Sequence, residues 1–209
     1  MFTAEQLDFA AAVERFCADN CGTAEQRAQL TQGLSNSPEL LQRLAELGRE
    51  HAVPVTDIAM MAPVPGKGLS VPMLASGDAA GQVAVILRGY GADIEVLDGP
   101  AGLAATRKLL RSVFYKGMAS SIVEALEAAR AAGLEDWLRP HIAEDLAKAD
   151  ASTVERIVTG TRQHAVRRGH EMAAAAEMLT DLGVEPIMAD ASRTLHERLA
   201  AAENRPPSR

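Results

Sequence analysis

A chain of 209 residues with 47% apolar residues is long enough for one full core or two small ones, and its composition is not that of a disordered polymer. The net charge of −7 excludes the basic balance of a general nucleic-acid binder, and 3% aromatic residues exclude a stacking platform for single strands. The opening MFTAEQLDFA has neither a cationic lead nor an apolar run, and no window nears the roughly 18 apolar residues of a membrane span, so the expectation is a soluble cytoplasmic protein without a membrane partner.

The first 50 residues predict two amphipathic helices. Thr3 to Gln6 has the form of a capping box, Phe2 and Leu7 are placed for a hydrophobic staple, and Phe9, Val13 and Phe16 follow at helical spacing. Cys17 and Cys21 share a face of this helix but are too few to hold a metal, so no metal site is expected. The second helix starts at Ser37-Pro38, carries Leu40, Leu41, Leu44 and Leu47 on one stripe, and stops at Gly48.

Between 51 and 101 the pattern changes to short apolar runs punctuated by Gly and Pro. VPVTDIAMMA, LSVPMLASG and ADIEVLDG read as strands and DAAGQVAVILRGYG as a helix, which together predict a small α/β layer. Such a layer leaves one sheet face bare, and the two leucine-rich helices are expected to cover it. The glycines of PGKG, residues 65 to 68, match no phosphate-loop spacing and read as a turn.

From 102 to 203 the chain reads as helical throughout. The first of these helices runs without a breaker to Gly133, about 45 Å at 1.5 Å per residue, a length suited to crossing between domains or subunits. Further helices are expected at about 138–149, 152–168, 169–182 and 189–202, with Pro140, Gly183 and Pro186 as breaks, followed by a flexible tail from 204 to 209. The fold class is therefore α+β and mostly α, with boundaries near residues 50 and 101. The alanine-rich EALEAARAAG and EMAAAAEML segments allow close helix packing and suit a homodimer.

The long helix carries an unusual stripe. Lys108, Arg111, Ser112 and Tyr115 are spaced by three and four residues and so share one side, while Leu109, Leu110, Val113 and Phe114 take the others. Two cations one turn apart repel unless an anion or carboxylate lies between them, which suits a small anionic ligand; the plainer reading is a solvated cationic face.

The run KLLRSVFYKG resembles the interdomain helix of the 3-hydroxyacid dehydrogenase and 6-phosphogluconate dehydrogenase superfamily, with Lys108 at its lysine and Gly117 at its glycine. Arg111-Ser112 stand where that superfamily has Asn-Asn, and a guanidinium is no substitute for an amide that hydrogen-bonds a hydroxyl, so a different substrate is implied. DIAMMAPVPGKG resembles the strand ending in its Ser-Gly-Gly substrate loop, with Met61-Ala62-Pro63 in place of those residues. RRGHEMAAAAEMLTDLGVEP resembles its later helix near the cofactor, with His170 in the motif position. The likeness spans about 53–203. It implies a remnant of a dinucleotide-binding domain ahead of a helical C-terminal domain, with Lys108 catalytic, Arg111, Ser112, Tyr115, Met61, Ala62 and Pro63 binding substrate, and His170 near NAD(P).

No Gly-x-Gly-x-x-Gly turn is present, so the resemblance predicts a truncated oxidoreductase with doubtful NAD(P) binding. FTAEQLDFAAAVERFCADN and SPELLQRLAELG resemble instead the N-terminal helices of acyl-CoA dehydrogenases. The alternatives to an NAD(P)-dependent hydroxyacid oxidoreductase are a non-catalytic helical dimerisation or ligand-binding module and, third, a flavoprotein fragment of acyl-CoA dehydrogenase type.

Overall fold

The structure is a computed structural model that describes residues 4–21, 23–25 and 38–203. The capping box at Thr3, the staple residue Phe2, the Ser37 cap and the tail after Glu203 lie outside the described residues, as do the side chains of Phe9, Phe16, Cys17 and Cys21. In chain order the elements are α1 (Ala4–Cys21), α2 (Pro38–Glu50), β1 (Asp57–Met60), β2 (Met73–Ser76), α3 (Ala80–Arg88), β3 (Ile94–Val96), α4 (Leu103–Ala131), α5 (Glu135–Ala147), α6 (Ala151–Gln163), α7 (Ala165–Asp181) and α8 (Ile187–Glu203). Two compact units divide between Val113 and Phe114, inside α4, whereas the sequence reading placed its boundaries near residues 50 and 101.

The first unit is built on a three-stranded sheet in the order β1-β2-β3, with β1 antiparallel and β3 parallel to β2. Alternation of side chains along β2 separates two apolar clusters, because successive residues point to opposite faces. Met73 and Ala75 join Ala80 and Ala84 of α3 and Ile94 of β3 on one face. On the other face Leu74 packs with Ala59 of β1, Leu97, and Leu103 and Ala104 at the start of α4. Among the described residues the two sheet faces pack on α3 and on the first turn of α4, where the sequence suggested the two leucine-rich helices. Instead α2 begins against α4: a Cβ on Gly102 would lie 3.1 Å from the Pro38 carbonyl oxygen.

Two tight places explain glycines in this unit. Gly77 takes φ +106 directly after β2, and a Cβ there would collide with the Val55 carbonyl oxygen. Gly48 faces Val53 and Val55 so closely that a side chain there would collide, yet α2 does not stop at it as the sequence suggested and runs on to Glu50. The PGKG segment is the expected turn, with Gly66 at φ +80, and leads into a 3-10 turn at Gly68–Ser70.

The second unit comprises the remainder of α4 with α5 to α8. Its core gathers Ala128 of α4, Ala176 and Leu179 of α7 and Ala189 of α8, so the alanine-rich segments do pack closely. Three boundaries differ from the sequence reading. α5 begins at Glu135 and includes Pro140, because Glu135 and Asp136 fill its acidic first turn. The missing Pro140 N–H leaves the Asp136 carbonyl without its helical donor, at a position where both residues are exposed to water. α6 ends at Gln163 and α7 starts at Ala165, so His164 alone separates them.

Candidate functional site

α4 positions the chemistry foreseen on the long helix, and its own start is fixed by residues from the sheet. No Ser, Thr, Asp or Asn precedes Leu103 to cap the helix locally. The buried Asp57 carboxylate of β1 takes that role: its Oδ2 accepts from the Gly102 N–H at 3.1 Å, the Ala105 N–H at 2.9 Å and the Ser76 hydroxyl at 3.4 Å. The Ser76 Oγ in turn accepts from the Ala104 N–H at 3.0 Å. Three of the donors that a helix start leaves open are therefore satisfied by strand side chains in the interior. This network was missed in the sequence, although the lack of a local cap before so long a helix was a signal that a distant acceptor exists.

One turn beyond Ala104, on the same face, stands Lys108. Lys108 and Ser112 are half-buried, while Arg111 and Tyr115 are exposed. Lys108, Arg111 and Ser112 belong to the first unit and Tyr115 to the second, where its ring meets Phe114 edge-on at 5.2 Å. The intervening residues are not core: Leu110 is 66% and Val113 75% exposed.

The segment after β1 is near the same end of α4. Met61 packs on the cluster that contains Ala104, and its N–H donates to the Pro72 carbonyl at 2.8 Å. Ala62 packs on the opposite cluster and Pro63 is exposed. Of the three residues expected to form a substrate loop, two thus turn their side chains into the sheet. Gly117 has open space where a Cβ would be, so nothing among the described residues demands glycine there. His170 is exposed on α7 in the second unit, beside the Arg167–Glu171 ion pair.

The described residues do not form a pyrophosphate cradle. β2 passes to α3 through Ser76-Gly77-Asp78, which sets an acid where a phosphate-binding turn needs open N–H groups, and Lys67 lies in an exposed turn. Among the described residues no cluster of His, Cys, Asp and Glu could hold a metal ion, and no helix is long and apolar enough to cross a membrane.

The second unit contains two features absent from the sequence reading. Glu124 of α4, 9% exposed, accepts from the Met188 N–H at 2.6 Å and the Ala189 N–H at 2.8 Å, capping α8 as Asp57 caps α4. Beside it, α4, α5, α7 and α8 enclose a cleft of about 430 Å³. Alanines of α4 and α7 form its floor, and Leu134, Trp137 and Met178 stand at its rim. At the neighbouring α4–α5 turn, hydrogen bonds from Arg130 and Arg139 lower the Glu135 pKa to about 2. The Arg130 Nε is 2.7 Å from its carboxylate.

Comparison with known proteins finds the same fold in solved imine reductases and a reductive aminase. The Streptomyces aurantiacus imine reductase superposes with a TM-score of 0.62 at 20% identity, over 79% of this chain and 62% of that one. A reductive aminase from Aspergillus terreus, solved in complex with NADPH and ethyl-5-oxohexanoate, gives 0.60 at 17% identity over 80% and 62%. At these identities the likeness is one of fold.

In sequence, residues 129–199 match the family described as Domain of unknown function (DUF1932). An uncharacterized 28.5 kDa protein in the 7S RNA 5′ region of Methanothermus fervidus is 28% identical over 127 residues, 61% of this chain and 50% of that protein. The chain spans about half the length of this curated relative. None of these matches supports the acyl-CoA dehydrogenase likeness of the first 48 residues.

Proposed function

We propose that this chain is the substrate-binding part of an NAD(P)-dependent oxidoreductase of the hydroxyacid dehydrogenase superfamily, acting on a small hydroxy acid or related anion as a homodimer. The observation that carries the reading is the α4 stripe: Lys108 and Ser112, half-buried and one turn apart, lie just beyond the point where the end of β1 packs on α4. The fold shared with imine reductases supports it. In this reading Lys108 exchanges the proton at the reacting oxygen and Arg111 pairs with the substrate's anionic group, while Ser112 and Tyr115 offer hydroxyls. Met61, Ala62 and Pro63 border the substrate. A bound oxidised nicotinamide would accept the hydride from the hydroxyl-bearing carbon; the described residues offer its pyrophosphate no cradle, so no step is routed through it.

The test is calorimetric titration of the purified chain with NADPH and NADH, then with a panel of small hydroxy acids. Saturable binding of a hydroxy acid, lost in Lys108→Ala with an unchanged melting temperature, is the expected result, with nucleotide binding weak or absent for want of a cradle. Absence of hydroxy-acid binding would refute the enzymatic reading. It would favour the second one, a helical dimerisation module, to which the large exposed apolar side chains of the second unit already give weight.

A further inference from the structure

We propose that the outer edge of β1 is the seat of a strand from a separate α/β chain, the chain that brings the dinucleotide cradle this one lacks. The inference rests on the oxidoreductase reading, which calls for a nucleotide where the described residues give its pyrophosphate no hold.

Among the described residues β1 is an end strand of the sheet, yet it has the make-up of an interior one. The Met61 N–H donates to the Pro72 carbonyl, and alternation along the antiparallel ladder then turns the backbone groups of Asp57 and Ala59 toward β2 and those of Ile58 and Met60 away from it. Such outward N–H and C=O groups are a template for one more strand. Both faces of β1 are apolar as well. Ala59 is buried against the start of α4, while Ile58 and Met60 lie on the α3 side of the sheet, 37% and 45% exposed, because α3 packs over β2 and β3. Strands apolar on both faces belong to sheets with helices on both sides. The bare side of β1 therefore takes a helix along with a strand, which together are one unit of an α/β layer.

The opposite edge is built differently. β3 holds Glu95 out to water between Asp93 and Asp98, charges of the kind that keep another strand away. β1 has no such guard: Asp57, its one charged residue, is buried with its carboxylate turned to α4. The course of the chain points to the occupant. β1 runs out into Met61, Ala62 and Pro63, and in open α/β sheets ligands bind beyond the carboxyl ends of the strands. A strand laid parallel to β1 would bring its carboxyl end, and a nucleotide held there, to the residues that border the substrate in the proposed reading. This chain also covers only 62% of the Streptomyces aurantiacus imine reductase, so over a third of that longer chain has no counterpart here.

The experiment co-expresses the full chain with a separate polypeptide, the half of the Methanothermus fervidus relative that this chain does not match. The relative's own two halves, co-expressed in the same way, form the reference pair. The expected result is an equimolar complex for both pairs, uptake of NADPH or NADH by calorimetry, and hydrogen exchange at the Ile58 and Met60 amides at least about 100-fold slower than in this chain alone. Met60→Pro removes an outward N–H, which an edge strand tolerates, and should weaken the complex at least about tenfold with an unchanged circular dichroism spectrum. Should that variant misfold, Ile58→Lys charges the bare face in its place. Failure of either pair to assemble overturns the proposal, as does slow exchange at both amides in the chain alone, since the edge would then be covered already. A complex that takes up neither nucleotide overturns the choice of occupant. Hydroxy-acid binding by this chain alone, lost in Lys108→Ala, decides the oxidoreductase reading separately, so the two fail independently.

Discussion

Replacing Asp57 by Ala should be the most informative perturbation of the first unit. The substitution removes one buried oxygen that accepts from two backbone N–H groups and a hydroxyl. Ser76 can turn its hydroxyl elsewhere, but the Gly102 and Ala105 amides cannot, since the α4 start fixes them. A hydrogen bond to a charged acceptor is worth roughly 1.5–3 kcal/mol net, and a buried donor left alone costs about 1–3 kcal/mol. Allowing for partial entry of water, the expected loss is about 3 kcal/mol, or a fall in Tm of about 6–12 °C for a chain of this size. Asp57→Asn keeps an oxygen without the charge and should lose about half as much. The assay is urea and thermal unfolding followed by circular dichroism, with hydrogen exchange at the Gly102 and Ala105 amides as the local readout. A loss below about 1 kcal/mol for Asp57→Ala, with both amides still protected, would refute the argument that this carboxylate anchors α4.

Glu124→Ala should cost about 2–3 kcal/mol by exposing the Met188 and Ala189 donors, measured by urea unfolding, whereas Glu124→Gln should cost about 1 kcal/mol. Ala52 sits at φ +55 just after α2, a region that penalises a Cβ, so Ala52→Gly should raise stability by about 1 kcal/mol in the same assay. The Glu135 carboxylate is held below its ordinary value of 4.5, so its pairs with Arg130 and Arg139 contribute fully above about that pH and fade as pH falls through about 2. Its carboxyl carbon resonance should titrate with a midpoint near 2, and a midpoint near 4.5 would show that the two arginines do not engage it in solution.

Much of the architecture was legible from periodicity. The strands stood out as short apolar runs between Gly and Pro, and the unbroken run from 103 to 131 left little choice but one helix. What escaped were contacts made across the chain. DIAMMAPVPGKG drew attention to Met61-Ala62-Pro63, yet its first residue does the anchoring, because a buried carboxylate is recognisable only once its donors, 45 to 48 positions away, are in place. Glu124 looked like one more charge in an alanine-rich helix for the same reason. Pro140 misled differently: its cost falls on one carbonyl at an exposed position, too little to outweigh the acidic first turn ahead of it. The polar stripe of α4 was readable as a stripe, and the sinking of Lys108 and Ser112 relative to Arg111 and Tyr115 was not, since spacing alone does not rank exposure along one face.

The caps of α4 and α8 also bear on the order in which the chain acquires structure. The first turn of α8 draws its acceptor from 64 and 65 residues upstream, so it gains that support only after a long loop has closed. Before closure, α8 has only local propensity, and helices of its length are marginal alone in water. Its N-terminal turn should therefore be among the last parts of the second unit to become protected. In pulse-labelling during refolding, the Met188 and Ala189 amides should gain protection together with the docking of α8 on α4, later than amides in the middle of α4 itself.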